Sequence, residues 1–209
     1  MDYYLPLYEN GYYHIYNRGN NGENIFCKHE NYLYFLKQYN HYLGDYLDTF
    51  AYCLLPNHFH LLVRVKEKEQ FPQTDAIASS DGIRKKYTPE QIVSKQFRRL
   101  FIGYAQAINK QETRTGSLFQ KNFKRKEVDD EHYFSQLIYY IHANPKHHGI
   151  MHDFTQYPYS SYSSLLSEKN TRLKRHQTID WFGDREAFRI FHSQNRNDND
   201  IHKWVIEED

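Results

Sequence analysis

Two apolar segments joined by Pro56-Asn57 constrain the fold more than any other feature of the chain. Residues 48–55 and 58–65 have the length and composition of β-strands, and Pro-Asn between them predicts a turn. The second segment opens with His58-Phe59-His60. Residues two apart on a strand point to the same face, so both imidazoles project together and Phe59 projects to the other side. One strand then presents two nitrogen donors at a spacing suited to a divalent cation.

The metal interpretation competes with a simpler one. The chain has thirteen histidines, so a His-x-His pair can arise without a functional reason. Buried imidazoles need partners, and other polar side chains can supply them as well as a metal can. The position of the pair at the start of a strongly apolar strand favours the metal, because the two rings then stand on a structured sheet.

A second informative segment predicts an amphipathic helix that contains Tyr140. Apolar residues recur at the i, i+3, i+4, i+7 spacing of one helical face, and they are Phe134, Leu137, Ile138 and Ile141. Tyr140 and Asn144 are four apart and share one edge of that face, whereas Tyr139 should point away. Pro145 is expected to end the helix and to leave Asn144 at its frayed end. Taken alone, the segment is better explained as an ordinary amphipathic helix with one of the twenty tyrosines near its edge.

Together with three further stretches, these segments resemble a known family. The resemblance is to the HUH single-strand DNA nucleases, specifically the one-tyrosine transposases of insertion sequences and their REP-associated relatives. The stretches that carry it, in the family's order over roughly residues 12 to 165, are Tyr13-His14-Ile15-Tyr16-Asn17-Arg18-Gly19, residues 54–63, residues 116–124, Tyr140-Ile141-His142-Ala143-Asn144-Pro145 and Tyr157-Pro158-Tyr159-Ser160-Ser161-Tyr162.

The resemblance implies a chemistry. Tyr140 would attack a DNA phosphodiester, form a 5′-phosphotyrosyl link and release a 3′-hydroxyl, and reversal with another 3′-hydroxyl would rejoin strands. A phenol with a pKa of ~10 is a weak nucleophile at neutral pH. Its attack therefore requires stabilisation of the charge that develops on the phosphoryl oxygens. A divalent metal held by His58 and His60, with Asn144 as third ligand, would supply it. Mg²⁺ or Mn²⁺ suits these donors, and Zn²⁺ also fits the histidines.

The order of elements predicts an α+β fold. We expect strand, helix, two strands, helix, strand and helix, which gives a ferredoxin-like four-stranded antiparallel sheet with helices on one face. The fourth strand is expected over Gly116 to Val128, and residues 66–87 are interpreted as a mobile loop. The domain is placed at residues 1–165, and residues 166–209 are expected to form a mostly helical extension with frayed last residues.

Composition limits the partners. The 209 residues carry a net charge of +1, so nucleic acid would have to meet local basic surface. The candidates are Arg18, Lys121, Lys124, Arg125 and Lys126 with Phe123, because single strands bind through backbone charge and base stacking. Two cysteines and no segment able to span a bilayer predict a cytoplasmic protein, nucleoid-associated when bound to DNA. Expected partners are single-stranded or hairpin DNA, no membrane, and in some cases a second copy of the chain.

Other functions stay open at this point. RNA-binding domains share the sheet-and-helix order, although the chain lacks their basic, Gly-and-aromatic signature. A metal hydrolase would need a general base, and no Asp or Glu lies beside His58 or within the Tyr140 turn. A domesticated relative that serves the host cannot be separated from a mobile-element enzyme. A homodimer, in which Tyr140 acts on the partner's metal site, is also compatible with the sequence.

Overall fold

The structure, a computed structural model, describes residues 5–72 and 87–194. Most of the predicted mobile loop, the basic run at Arg84, Lys85 and Lys86, and the last fifteen residues, 195–209, lie outside the described residues. Among the residues that are described, no helix is long and apolar enough to cross a membrane.

Four antiparallel strands form the sheet, as predicted. They are β1 (Tyr12–Arg18), β2 (Leu47–Leu55), β3 (His58–Val65) and β4 (Lys124–Glu127), in the order β2-β3-β1-β4. The turn at Pro56-Asn57 joins β2 to β3, where the sequence predicts it. The fourth strand is shorter than expected, because residues 116–123 run outside the sheet apart from one bridge between Gly19 and Phe119. Gly116, whose φ is +88°, belongs to this irregular stretch.

Two helices cover one face of the sheet. Helix α1 (His29–Leu43) ends before Gly44, and helix α2 (Pro89–Gln111) begins at a capping box. There the Thr88 hydroxyl accepts from the Gln91 amide at 3.4 Å and the Gln91 side chain accepts from the Thr88 amide at 3.2 Å. Both helices pack on Ile15, Phe59 and Leu61, which point to this face.

Helix α3 (Glu131–His147) lies on the opposite face, so the expectation that all helices share one face is wrong. Its apolar stripe, Leu137, Ile138 and Ile141, packs with Leu62 of β3 in a second core. Alternation along β3 explains the correction. Leu62 shares a face with the two histidines, and Phe59 points the other way. A helix that carries Tyr140 to the histidines therefore has to lie on this side. The α+β class and the four-stranded sheet are confirmed.

Pro145 does not end α3, in contrast to the expectation. The helix continues to His147, and the amide of His148 donates to the carbonyl of Asn144 at 3.0 Å. Proline removes one amide donor from a helix but leaves the carbonyls available to later residues. Asn144 is consequently a buried residue within the last turns of the helix and not a frayed one.

The C-terminal segment is helical and packs behind α3. Helices α4 (Tyr162–Leu166), α5 (Arg175–Phe182) and α6 (Arg185–Ser193) follow one another, and Ile179 and Phe188 enter the same core as α3. The stretch before them runs along the edge of β2, where the amide of Leu54 donates to the carbonyl of Tyr159 at 2.9 Å. Edge strands need such cover. A domain boundary at residues 165/166 stays a prediction.

Candidate active site

Strands β1 and β3 place four rings on the face of the sheet that α3 covers. The register sets Tyr16 opposite His60 and Arg18 opposite His58. His14, two residues before Tyr16, stacks on His60 with 5.1 Å between ring centroids. The rings of His58 and His60 lie 5.2 Å apart and nearly perpendicular. The predicted common orientation of the two histidines is therefore observed.

Hydrogen bonds at Nδ1 indicate which ring nitrogen of His58 and His60 is available to bind a metal. The Nδ1 of His60 lies 2.9 Å from the Nε2 of His14, and both rings are almost fully buried. The Nδ1 of His58 lies 2.6 Å from Asn57 Oδ1, which can only accept, so this nitrogen carries the proton. In a neutral ring the lone pair of His58 then resides on Nε2. If His60 donates to His14 in the same manner, its lone pair is also on Nε2, the usual arrangement for metal-binding imidazoles.

Tyr140 lies against this pair and Tyr139 does not. The ring of Tyr140 is 5.5 Å from His60 and 6.3 Å from His14, with the planes nearly perpendicular in both pairs. Tyr139 packs instead against Phe154 at 6.0 Å and His192 at 5.8 Å, on the side of α3 that faces the C-terminal segment. The helical argument that separated the two tyrosines is confirmed by these contacts.

Asn144 has a buried polar atom without a hydrogen-bond partner among the described residues. Its side chain is 0% exposed, and its amide nitrogen donates to the Tyr140 carbonyl at 2.9 Å. The amide oxygen, Oδ1, is buried and accepts no hydrogen bond from any residue that the structure describes. Buried polar atoms in native proteins are nearly always satisfied, so such an oxygen is a candidate ligand position.

A cavity of about 130 Å³ opens at the histidines. It is lined by Tyr16, Asn17, Arg18, Asn57, His58, Phe59, His60, Gln120, Lys124 and His148. The ring of His148 approaches His58 at 4.6 Å. Tyr140 is not among the lining residues and is only 3% exposed. The described residues contain no group of three His, Cys, Asp or Glu side chains that could hold a metal. Within the described part of the chain, a third ligand would therefore be of another type, such as an amide oxygen.

The chain resembles known proteins in both sequence and fold. No family model matches it. A Haemophilus influenzae protein assigned as a REP-associated tyrosine transposase is 30% identical over 117 residues, which cover 55% of this chain and 58% of that protein. The chain thus spans a little over half the length of this curated relative. The structure of a REP-associated tyrosine transposase bound to a REP hairpin superposes with a TM-score of 0.57 at 15% identity, over 80% of this chain and 86% of that one.

The resemblance to REP-associated tyrosine transposases is thereby confirmed. The sequence match supports the resemblance to this family, and the structural match supports the fold. That fold is the ferredoxin-like sheet predicted from the element order.

The structure divides the predicted DNA-binding residues into separate groups. Arg18 and Lys124 line the histidine cavity. Lys126 is on the same sheet face as Lys124, and its ammonium lies 4.9 Å from the Tyr133 ring, where burial lowers its pKa. Arg125 points to the other face and donates to Ser94 Oγ and to the Leu5 carbonyl at 3.3 and 3.2 Å. Alternation along β4 separates it from its neighbours.

A second cavity, about 480 Å³, adjoins the first. Asn17 and Gln120 line both, and the remaining lining comes from α2 and the stretch before β4. Lys121 and Phe123 belong to it, together with Arg98 and Phe101. The Phe123 ring packs 5.4 Å from Phe101, with the Arg125 guanidinium 4.2 Å above it.

Sequence reasoning missed three residues that shape the site: His14, Asn57 and His148. Asn57 was interpreted only as a turn residue, and His148 follows the expected helix end. His14 lies in a stretch that carries the family resemblance, and its alternation with Tyr16 and Arg18 was visible. Which residues of β3 it would face depends on the strand register, and a single sequence does not give that register.

Proposed function

We propose that the protein is a metal-dependent transposase-like enzyme that cuts and rejoins single-stranded DNA through a 5′-phosphotyrosine at Tyr140. One observation carries the proposal: the Tyr140 ring lies 5.5 Å from the ring of His60, and Asn144, one turn further along α3, has a buried amide oxygen that accepts no hydrogen bond from the described residues. The sequence relationship to a REP-associated tyrosine transposase supports the reaction class.

The residues present fit a divalent cation. His58 and His60 use Nδ1 for bonds within the protein, and Asn144 Oδ1 is a buried acceptor in need of a cation or donor. Two imidazole nitrogens and an amide oxygen, with further positions open to water and phosphate, suit Mg²⁺ or Mn²⁺. When bound, the cation would withdraw charge from the phosphoryl oxygens of the DNA.

The bond changes balance without an external energy source. The Tyr140 oxygen loses its proton and bonds to phosphorus, the bond from phosphorus to the 3′ oxygen breaks, and that oxygen takes up a proton. One phosphodiester is exchanged for another, so a second 3′-hydroxyl can reverse the step and join a new strand. The burial of Tyr140 means that DNA entry must be accompanied by local adjustment around its ring.

The two adjoining cavities suggest a path for the strand. Arg18 and Lys124 would meet phosphates near the histidines, and Phe101 and Phe123 offer rings against which unpaired bases can stack. A paired base cannot stack on a protein side chain without leaving the duplex. The arrangement therefore favours unpaired DNA or the open end of a hairpin.

DNA form gives the first test. Affinity should be higher for a single strand or a hairpin with an unpaired extension than for blunt duplex, and it should fall as salt rises. Removal of the Lys124 charge by substitution with Ala should reduce the slope of log K against log salt by about 0.7, the value for one phosphate contact on a single strand. Fluorescence anisotropy across a salt series measures both quantities.

The matched control is Arg189→Ala. Arg189 is half exposed on α6, which packs behind α3 and away from the cavities, so its removal should leave the salt slope unchanged. Equal affinity for blunt duplex and single strand at moderate salt would contradict the proposed path.

His14 provides a test of the metal site that does not depend on activity. Its bond to His60 Nδ1 should hold that ring with Nε2 toward the cation, and the loss of such a partner costs metal-binding proteins roughly 10- to 100-fold in affinity. Titration of His14→Ala with Mn²⁺, followed by calorimetry or by the electron paramagnetic resonance of free Mn²⁺, should show a loss in that range. An unchanged affinity would show that His14 does not support a ligand.

A non-catalytic RNA-binding module remains the alternative, and the fold argues against it. Such domains stack bases on an exposed sheet face. Here α1 and α2 pack on one face and α3 on the other, so that both faces of the central strands are covered. Incubation with hairpin DNA and Mn²⁺ decides between the two functions: a covalent protein–DNA adduct that disappears with a chelator supports the enzyme, and its absence favours the module.

A further inference from the structure

A series of hydrogen bonds joins α3 to α6 and to β2, and the proposed chemistry does not use it. His142 lies between Tyr140 and Asn144 in sequence, and its ring contacts the rings of Tyr162, Phe188 and His192. Its side chain is 0% exposed, and both ring nitrogens have partners. Nδ1 lies 3.0 Å from Nε2 of His192 on α6, and Nε2 lies 2.8 Å from the hydroxyl of Ser161.

The groups at the two ends of this series of hydrogen bonds determine which nitrogen of His142 and His192 carries the proton. At one end, His192 Nδ1 is 2.8 Å from the carbonyl of Phe188, which can only accept, so His192 donates there. The Nε2 of a neutral His192 must then accept from His142 Nδ1. His142 Nε2 is left to accept from the Ser161 hydroxyl, whose oxygen in turn accepts from the amide of Tyr52 at 2.9 Å. Each bond has one donor and one acceptor, with both rings neutral.

Burial supports this assignment of protons. The His142 ring is 0% exposed and packs against the rings of Tyr162, Phe188 and His192, an environment in which a charged imidazole is costly. A neutral ring is the form that the chain of bonds requires.

The chain of bonds connects the nucleophile helix to the strand beside the metal-binding strand. Tyr52 lies on β2, next to Cys53, and Cys53 pairs with His60 in the sheet register. Ser161 also donates its own amide to the Tyr52 carbonyl at 2.9 Å, so the contact to β2 is made twice. At the other end, His192 belongs to α6 in the C-terminal segment. Helix α3 is thus joined by directional bonds to α6 directly and to β2 through Ser161.

We propose that His142 is a positioning residue: with Ser161 and His192 it fixes α3 against β2 so that Tyr140 stands over His60, and α6 thereby supports the active site. The proposal rests on the proposed function for its catalytic consequence. Apolar packing alone leaves a helix free to slide or rotate slightly, whereas a chain of aligned donors and acceptors defines one position. Misplacement of a reacting group by about 1 Å can cost on the order of 100-fold in rate.

The chain offers a matched pair of serines for the test. Ser161→Ala removes the hydroxyl that joins His142 to Tyr52. Ser160→Ala makes the same change one residue earlier, where the buried hydroxyl contacts only the nearby Tyr157 carbonyl at 3.5 Å and Tyr162 amide at 3.4 Å. His192→Leu removes the hydrogen bond between His142 and His192, at the other end of the series of bonds, and fills the space with an apolar side chain. It serves as the second variant if Ser161→Ala does not fold.

The readouts separate positioning from general stability. Ser161→Ala and His192→Leu should lower the single-turnover rate of adduct formation by roughly 10- to 100-fold, with the dissociation constant for DNA within about twofold of wild type. Ser160→Ala should leave both unchanged. The ¹⁹F signal of 3-fluorotyrosine at position 140 should shift in the first two variants and not in the third, and this signal requires no catalysis.

Three results would overturn the proposal. One is a wild-type rate together with an unshifted ¹⁹F signal in Ser161→Ala and His192→Leu. Another is a rate loss in Ser160→Ala as large as that in Ser161→Ala. The third is a ¹⁵N spectrum of the wild-type protein in which His142 or His192 is charged or protonated on Nε2 at neutral pH. If wild-type protein forms no adduct, the proposed function fails, and the ¹⁹F and ¹⁵N measurements still decide the role of His142.

Discussion

Tyr140→Phe should abolish the covalent protein–DNA adduct and leave folding and DNA binding intact. The substitution removes only the phenolic oxygen, which is the atom proposed to attack phosphorus, and the remaining ring keeps its contacts with His60 and His14. The adjacent Tyr139 cannot replace the phenol, because it packs on the opposite side against Phe154 and His192. Incubation with labelled hairpin DNA and Mn²⁺, followed by denaturing electrophoresis, measures the adduct.

Tyr139→Phe is the matched control, because it makes the same atomic change one residue away. Both rings are almost fully buried, so differences in burial cannot explain a difference in activity. Tyr139→Phe should form the adduct at a rate close to wild type. Mass spectrometry of the DNA-linked peptide then identifies the nucleophile among twenty tyrosines, and a link at any residue other than Tyr140 would refute the assignment.

The sequence predicts the orientation of the candidate site residues better than it predicts their long-range contacts. Strand alternation and helical spacing are local rules, and they correctly orient His58, His60, Tyr140 and Tyr139. The face that α3 would cover follows from the same rules, since Tyr140 can reach the histidines only from the side opposite Phe59. The expectation of helices on a single face came from the element order alone and overlooked this requirement.

Long-range partners are what the sequence leaves unresolved. The bond from His14 to His60 joins residues 46 apart and depends on the register of β1 against β3. The bond from His142 to His192 joins residues 50 apart on helices whose packing no periodicity specifies. Pro145 shows that a local sequence rule can also give a wrong helix end. Its position predicts a helix end, but tertiary packing around Asn144 and the bond from His148 extend the helix past it.

Replacement of His58 and His60 together by Ala should abolish metal-dependent cleavage. Each ring directs Nδ1 to a protein partner, so the loss of both removes the two imidazole donors that the proposed cation site depends on. The remaining candidate ligand, the Asn144 oxygen, is neutral and cannot hold a divalent cation by itself. DNA affinity in the presence of a chelator should stay near wild type, because Arg18 and Lys124 keep their places on the cavity wall.

The two histidines should differ as single variants, which sharpens this prediction. His60 is 1% exposed and stacks on His14 and Tyr16, so His60→Ala also opens a gap in a packed cluster and should lower the melting temperature. His58 lies at the cavity mouth beside His148, and His58→Ala should lose Mn²⁺ binding with little change in melting temperature. His148→Ala is the control of the same residue type: it contacts His58 but is outside the proposed ligand set, so cleavage should persist. Cleavage that survives in the double variant would show that the metal, if one is used, binds elsewhere.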